Sequence, residues 1–272
     1  MGIPERRVLK QFEEQEYPKH KQAINAAAGF DVPLTVDWAS MELDGESALY
    51  MNAIPKVYFI PLADAFRSIA SDELGKSALK NGLKSVTING KEGTTPTAWR
   101  FESGELRINH ICIYNIEDVK DRANWLIKTL EDGLLPGMGL KEMRAMTQFK
   151  ETAYPDWKKK IDAAAGFDVA IDVAWDTLAA KGYSHLYSKA FPNIYFIPLV
   201  DAFMRIAPDD FGKDALKAGL KKIIINGSFG SKPSNDWSFS DGILTINHRS
   251  DTNVDSVSER TDWLARTLEK AL

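Results

Sequence analysis

The chain has 272 residues, with 34 Lys and Arg against 38 Asp and Glu for a formal net charge of −4. An acidic chain without a basic stripe is unsuited to nucleic acid, whose binding needs clustered cations to displace counterions. The lone cysteine, Cys112, excludes an intrachain disulfide, and the longest apolar run, around residues 57–63, is too short to cross a bilayer.

Residues 1–20 are charged throughout and lack the apolar core of a signal peptide, so a cytoplasmic location is the expectation, with no membrane partner. Residues 5–28 are polar and rich in helix formers, and Gly29-Phe30 has the form of a glycine helix stop. Pro18 lacks an amide donor and should kink or divide that helix. Residues 34–38 alternate as a strand does. Between residues 57 and 70, Tyr58, Leu62, Phe66 and Ile69 share one helical face and Pro61 suits a first helical turn, although Tyr58-Phe59-Ile60 alone also reads as a short strand.

Asp72 is placed to cap a helix that stops at Gly82-Leu83. A strand at 85–89 leads into Asn89-Gly90-Lys91-Glu92-Gly93, which reads as a hairpin loop. It lacks the Lys-Ser/Thr ending and the following helix of a phosphate-binding loop. Strands at 99–102 and 105–110 turn at Ser103-Gly104. Residues 116–134 close the series as an amphipathic helix, with Val119, Ala123, Leu126 and Leu130 along its apolar stripe.

The whole succession then returns. FDVPLTVDW recurs as FDVAIDVAW, KVYFIPLADAF as NIYFIPLVDAF, and LRINH as LTINH. Phe12 aligns with Phe149 and Trp38 with Trp175 at one constant offset, which grows by one residue beyond Pro96 and Pro233. The expectation is an α+β protein built by tandem duplication of an α-β-α-α-β-β-β-α module, each a small antiparallel sheet packed with helices. Residues 1–134 form the first module, 135–140 a Pro- and Gly-punctuated linker, and 141–272 the second. A monomeric pseudo-dimer follows from that arrangement.

Few matched residues carry chemistry. His110 and His248 both follow Asn at a strand end, and histidine is the natural acid or base near neutral pH. No nucleophile recurs beside them and no metal-ligand spacing is present, so no catalytic residue, metal or cofactor is assigned. Arg122 and Arg260 border the apolar stripe of the last helix, where a guanidinium can pair with a buried carboxylate such as Asp31, Asp64, Asp168 or Asp201, or hold an anion. His110 with Arg122, and His248 with Arg260, are therefore the candidate ligand-binding residues. Asn115 and Asn253 read as helix caps. Trp38, Trp99 and Trp125, with their matches Trp175, Trp237 and Trp263, read as core, while Trp157 in place of His20 hints at a contact surface.

These features favour a non-enzymatic binding protein of adaptor, chaperone-like or antitoxin/immunity type whose partner is another protein. The competing expectation is a small-molecule (anion) binding protein or enzyme using one His/Arg pocket per module.

Overall fold

A computed structural model of the chain describes residues 2–93, 99–135, 137–228 and 230–272. It divides into two units, Met1–Leu140 and Lys141–Leu272, each with its own hydrophobic cluster. In the first unit the order is α1 (Ile3–Gln11), α2 (Tyr17–Ala28), β1 (Leu34–Val36), α3 (Tyr50–Ile54), α4 (Ile60–Ile69), α5 (Glu73–Gly82), β2 (Ser85–Asn89), β3 (Arg100–Glu102), β4 (Glu105–Asn109) and α6 (Val119–Gly133). The second runs α7 (Leu140–Thr152), α8 (Tyr154–Ala165), β5 (Ile171–Val173), α9 (Trp175–Leu178), α10 (Tyr187–Phe191), α11 (Ile197–Ile206), α12 (Asp210–Gly219), β6 (Lys222–Asn226), α13 (Pro233–Asp236), β7 (Trp237–Ser240), β8 (Ile243–Asn247) and α14 (Val257–Ala271).

Each unit holds a mixed sheet, not the antiparallel sheet expected. The strand orders are β1-β2-β4-β3 and β5-β6-β8-β7. β1 runs parallel to β2 and β2 to β4, and only the β3–β4 hairpin is antiparallel; the second sheet repeats the pattern. The reason lies in the connections. Helices separate β1 from β2, and such a crossover returns the chain to the same end of the sheet. β3 then loops to the edge, which leaves β4 to pair with β2. The segment after β2 is therefore not a hairpin loop, because β2 and β3 are not neighbours. Pro96, Pro136 and Phe229 lie outside the described residues.

Local signals fare better. Gly29 and Gly166 end their helices in the left-handed region, at φ 81° and 82°. Asp72 and Asp209 accept hydrogen bonds from the amides of Gly75 and Gly212, at 2.6 and 2.9 Å, and cap α5 and α12. Ser103-Gly104 and Asp241-Gly242 both take positive φ at the two turn positions, the geometry of a tight hairpin with native twist. Gly82 and Gly219 are not left-handed stops. A Cβ at Gly82 would lie 2.9 Å from the Leu134 carbonyl, and one at Gly219 would lie 2.0 Å from the Leu272 side chain. At Gly82 close approach of the last helix's backbone, not helix termination, calls for glycine, whereas at Gly219 the neighbour is the movable tip of the Leu272 side chain.

Prolines act through widened turns. Among the described residues, π turns occupy Phe12–Glu16, Pro55–Phe59 and Pro192–Phe196. In each, the residue just before a proline (Tyr17, Ile60 or Ile197) donates its amide to a carbonyl five residues back. The proline ring would clash with a carbonyl in a regular α turn, and the extra residue relieves that conflict. Tyr58-Phe59-Ile60 is thus helical, not a strand. Phe59 and Phe196, from two of these turns, stack on His20 and Trp157 respectively, so His20 and Trp157 fill the same aromatic slot.

The core alternates along the central strands: Val86, Ile88, Leu106 and Ile108 are buried, as are Ile223, Ile225, Leu244 and Ile246. α6 and α14 bury Leu126 and Leu130, and Leu264 and Leu268. Trp99 and Trp237 are buried, whereas Trp38, Trp125, Trp175 and Trp263 are half-buried against the clusters.

Cys112 is sealed inside and its thiol is pushed up to about 12 by burial. Its Sγ lies 3.8 Å from the Met41 carbonyl, and the matched Ser250 donates to the matched Leu178 carbonyl at 2.6 Å. The second unit thus shows that a hydroxyl serves at this position. Cys112→Ser is expected to shift stability by no more than about 1 kcal/mol, read from the urea midpoint. A loss of several kcal/mol would mean the two positions are not equivalent.

Candidate functional site

The recurring His, Arg and Asn residues form one polar knot in each unit, at the carboxyl end of β4 or β8. The strand ends place His110 and His248 inside, both fully buried. Tyr58 and Tyr195, carried by the π turns, donate their hydroxyls to the His110 and His248 carbonyls, the latter at 2.5 Å. The ring of His110 meets Trp99 edge-on at 6.2 Å, and that of His248 meets Trp237 at 6.1 Å. Burial raises both tyrosine hydroxyls well above their ordinary range.

Arg122 and Arg260 reach the knot from the first turn of α6 and α14, at 1% and 0% exposure. Both donate to backbone carbonyls, not to the carboxylates expected. Arg122 Nη2 donates to the Tyr114 and Asn115 carbonyls at 3.0 and 2.6 Å. Arg260 Nη2 donates to the Asn253 carbonyl at 2.5 Å, and its Nη1 lies 3.5 Å from the Asn193 carbonyl. Asp64 and Asp168 pair instead with Arg67 and Lys158. Burial lowers the pKa of both arginines. Arg122 Nε and Nη1 and Arg260 Nε have no hydrogen-bond partner among the described residues.

Asn115 and Asn253 are not helix caps. They sit at φ 52° and 48°, three residues before the N-caps Asp118 and Ser256, whose amides bond back to their carbonyls at 3.0 Å. Asparagine tolerates the left-handed region better than most side chains. The arginine that grips its carbonyl braces the strained residue.

The second unit brings its predicted pair into direct contact. In the second unit Arg260 Nη2 lies 3.1 Å from His248 Nε2, which is also 3.2 Å from the Thr252 carbonyl. Burial, then the Arg260 charge, pushes the His248 imidazole down to about 4, so it is neutral at pH 7. In the first unit His110 Nδ1 faces the Ile111 carbonyl at 2.8 Å. A ligand at either pair would need a route from solvent to side chains that are at most 1% exposed.

Open space lies elsewhere. One groove recurs in both units, of about 530 Å³ between α2, α4 and α5 and about 550 Å³ between α8, α11 and α12. Alanines floor it: Ala26, Ala27 and Ala70 in the first unit, and Ala163, Ala164 and Ala207 in the second. A separate polar cleft of about 540 Å³ opens above β5, β6 and β8, with Lys181, Tyr183, Arg249 and Asp251 in its lining. Sequence reasoning missed this cleft, because it looked for residues that recur and these do not.

Among the described residues no cluster of three or more His, Cys, Asp or Glu could hold a metal ion, and no helix is long and apolar enough to cross a membrane. No protein-family profile, curated protein or solved structure matches the chain.

Proposed function

We infer that the chain is a tandem duplication acting as a non-enzymatic binding protein, each module presenting one groove to a partner protein. The observation that carries this reading is the alanine-floored groove found at matched positions of both units. Small side chains let a partner helix approach closely, and an apolar groove between helices is a common seat for an amphipathic helix. The second groove is rimmed by Met204, 54% exposed, and α12 beside it carries Phe211 at 84%. At the aligned positions the first unit has Arg67 and the half-buried Leu74. The grooves are therefore related without being identical. Two linked sites raise effective concentration, so a bivalent partner is held far more tightly than by one.

The test is affinity capture from a lysate followed by mass spectrometry, with each groove filled in turn. Ala26 and Ala163 are exposed helix positions, so Ala26→Arg and Ala163→Arg should leave the fold intact. One or more proteins should be recovered by the wild-type chain, more weakly by either single variant and not by the double. Capture that is indifferent to both substitutions would remove the grooves from the account.

A further inference from the structure

We propose that a cleft of the first unit is a binding site for an uncharged alcohol with an apolar tail. The cleft, of about 740 Å³, lies where α5, the β3–β4 turn and the end of α6 converge, and its volume is within the range of small-ligand pockets. Leu74, Ala78, Phe101, Leu134 and Leu135 give it an apolar lining. Gly133 helps to shape it: a Cβ there would lie 2.5 Å from the Phe101 ring, so only a bare backbone lets the ring close in on the end of α6.

The polar groups of the lining select the head of the ligand. Asn81 Nδ2 donates to Ser77 Oγ at 3.2 Å. That bond leaves the Ser77 hydroxyl a proton to give and Asn81 Oδ1 lone pairs to receive one, a turn apart on α5. A hydroxyl both donates and accepts, so a single head satisfies both. A carboxylate has no proton for Asn81, and an ammonium has no lone pair for Ser77. Charge points the same way. α5 and α6 both end at the cleft, and each helix C-terminus carries roughly half a negative charge. Among the described residues of the lining only Lys84 is charged, and it offsets the two helix ends. An ion of either sign would upset that balance.

Fold maintenance does not require these side chains. At the positions of Ser77, Asn81 and Ser103 the second unit has Asp214, Ala218 and Asp241. Yet α12 matches α5 in length and cap, and both hairpin turns take positive φ at the same two positions. The same scaffold is thus built with a donor–acceptor pair in one unit and with carboxylates in the other. The helical groove beside α5 shares no lining residue with this cleft, so either reading can fail without the other.

The experiment is a backbone-amide NMR titration of the full chain at constant ionic strength with 1-octanol, octanoate, octylammonium and ethanol. The expected result is saturable shifts with octanol, confined to residues 74–84, 101–104 and 133–135. Ethanol, which lacks the tail, should bind about tenfold or more weaker. Asn81→Ala installs the second unit's residue and should weaken octanol about fivefold, the effect of one neutral hydrogen bond. Ser77→Trp fills the cleft from an exposed helix position and should abolish octanol binding, with Asn81→Ala as the second test should the tryptophan variant lose its native spectrum. Octanoate or octylammonium binding as tightly as octanol, shifts that do not saturate, or octanol binding that survives both variants would overturn the assignment.

Discussion

Arg260→Ala is expected to destabilise the second unit by about 3 to 5 kcal/mol, because it deletes a large buried side chain with its charge-assisted hydrogen bonds and leaves the Asn253 carbonyl to the Ser256 amide. The loss compounds three effects: charge-assisted bonds no longer made, a cavity under α14, and release of a residue held at φ 48°. Arg260→Met restores much of the volume but none of the donors, and should recover only part of the loss. Arg122→Ala should do the same to the first unit, where Asn115 is gripped at 2.6 Å. Urea unfolding of the full chain, with the two variants displacing different parts of the transition, is the measurement. Changes below about 1 kcal/mol for both would show that these arginines do not brace the turns, and would return them to consideration as ligand residues.

The second large effect is on acid stability. His248 is held near 4 in the folded chain against an ordinary 6.5, chiefly by burial and then by the Arg260 charge. As pH falls below 6.5 the unfolded chain takes up the proton first, so stability drops between pH 6.5 and about 4 and this contribution levels off below that. Its size is about 3 kcal/mol. The other charged groups that act on the ring are Asp236 and Asp251, both of which favour protonation and oppose Arg260. His248→Asn should flatten the profile relative to wild type across that window, measured as urea midpoints at half-unit steps of pH. Identical slopes in the two proteins would mean that the imidazole does not carry the effect.

Features written in a few adjacent residues were legible in the sequence. Gly29, Asp72, Ser103-Gly104 and their matches each act within one turn, and the structure places them as their chemistry requires. Strand partnership was not legible. The Asp241-Gly242 turn correctly marks the β7–β8 pair, but nothing local says that β8 takes β6 as its other neighbour in parallel. The convergence of Arg260 with His248 was anticipated, whereas its main acceptor was not, because a backbone carbonyl leaves no trace in a residue pattern. The polar cleft was hidden for a third reason. Its members come from loops some seventy residues apart, and only one unit carries them.

Both sheets have very short margins. β1 and β3 are three residues each, β5 is three and β7 is four. So little unpaired backbone gives an incoming extended peptide almost no ladder to join, and for the same reason the margins are poor templates for aggregation. Whatever associates with this chain must therefore recognise side chains on helices and loops. Selectivity is then open to change one residue at a time, without disturbing the strands beneath.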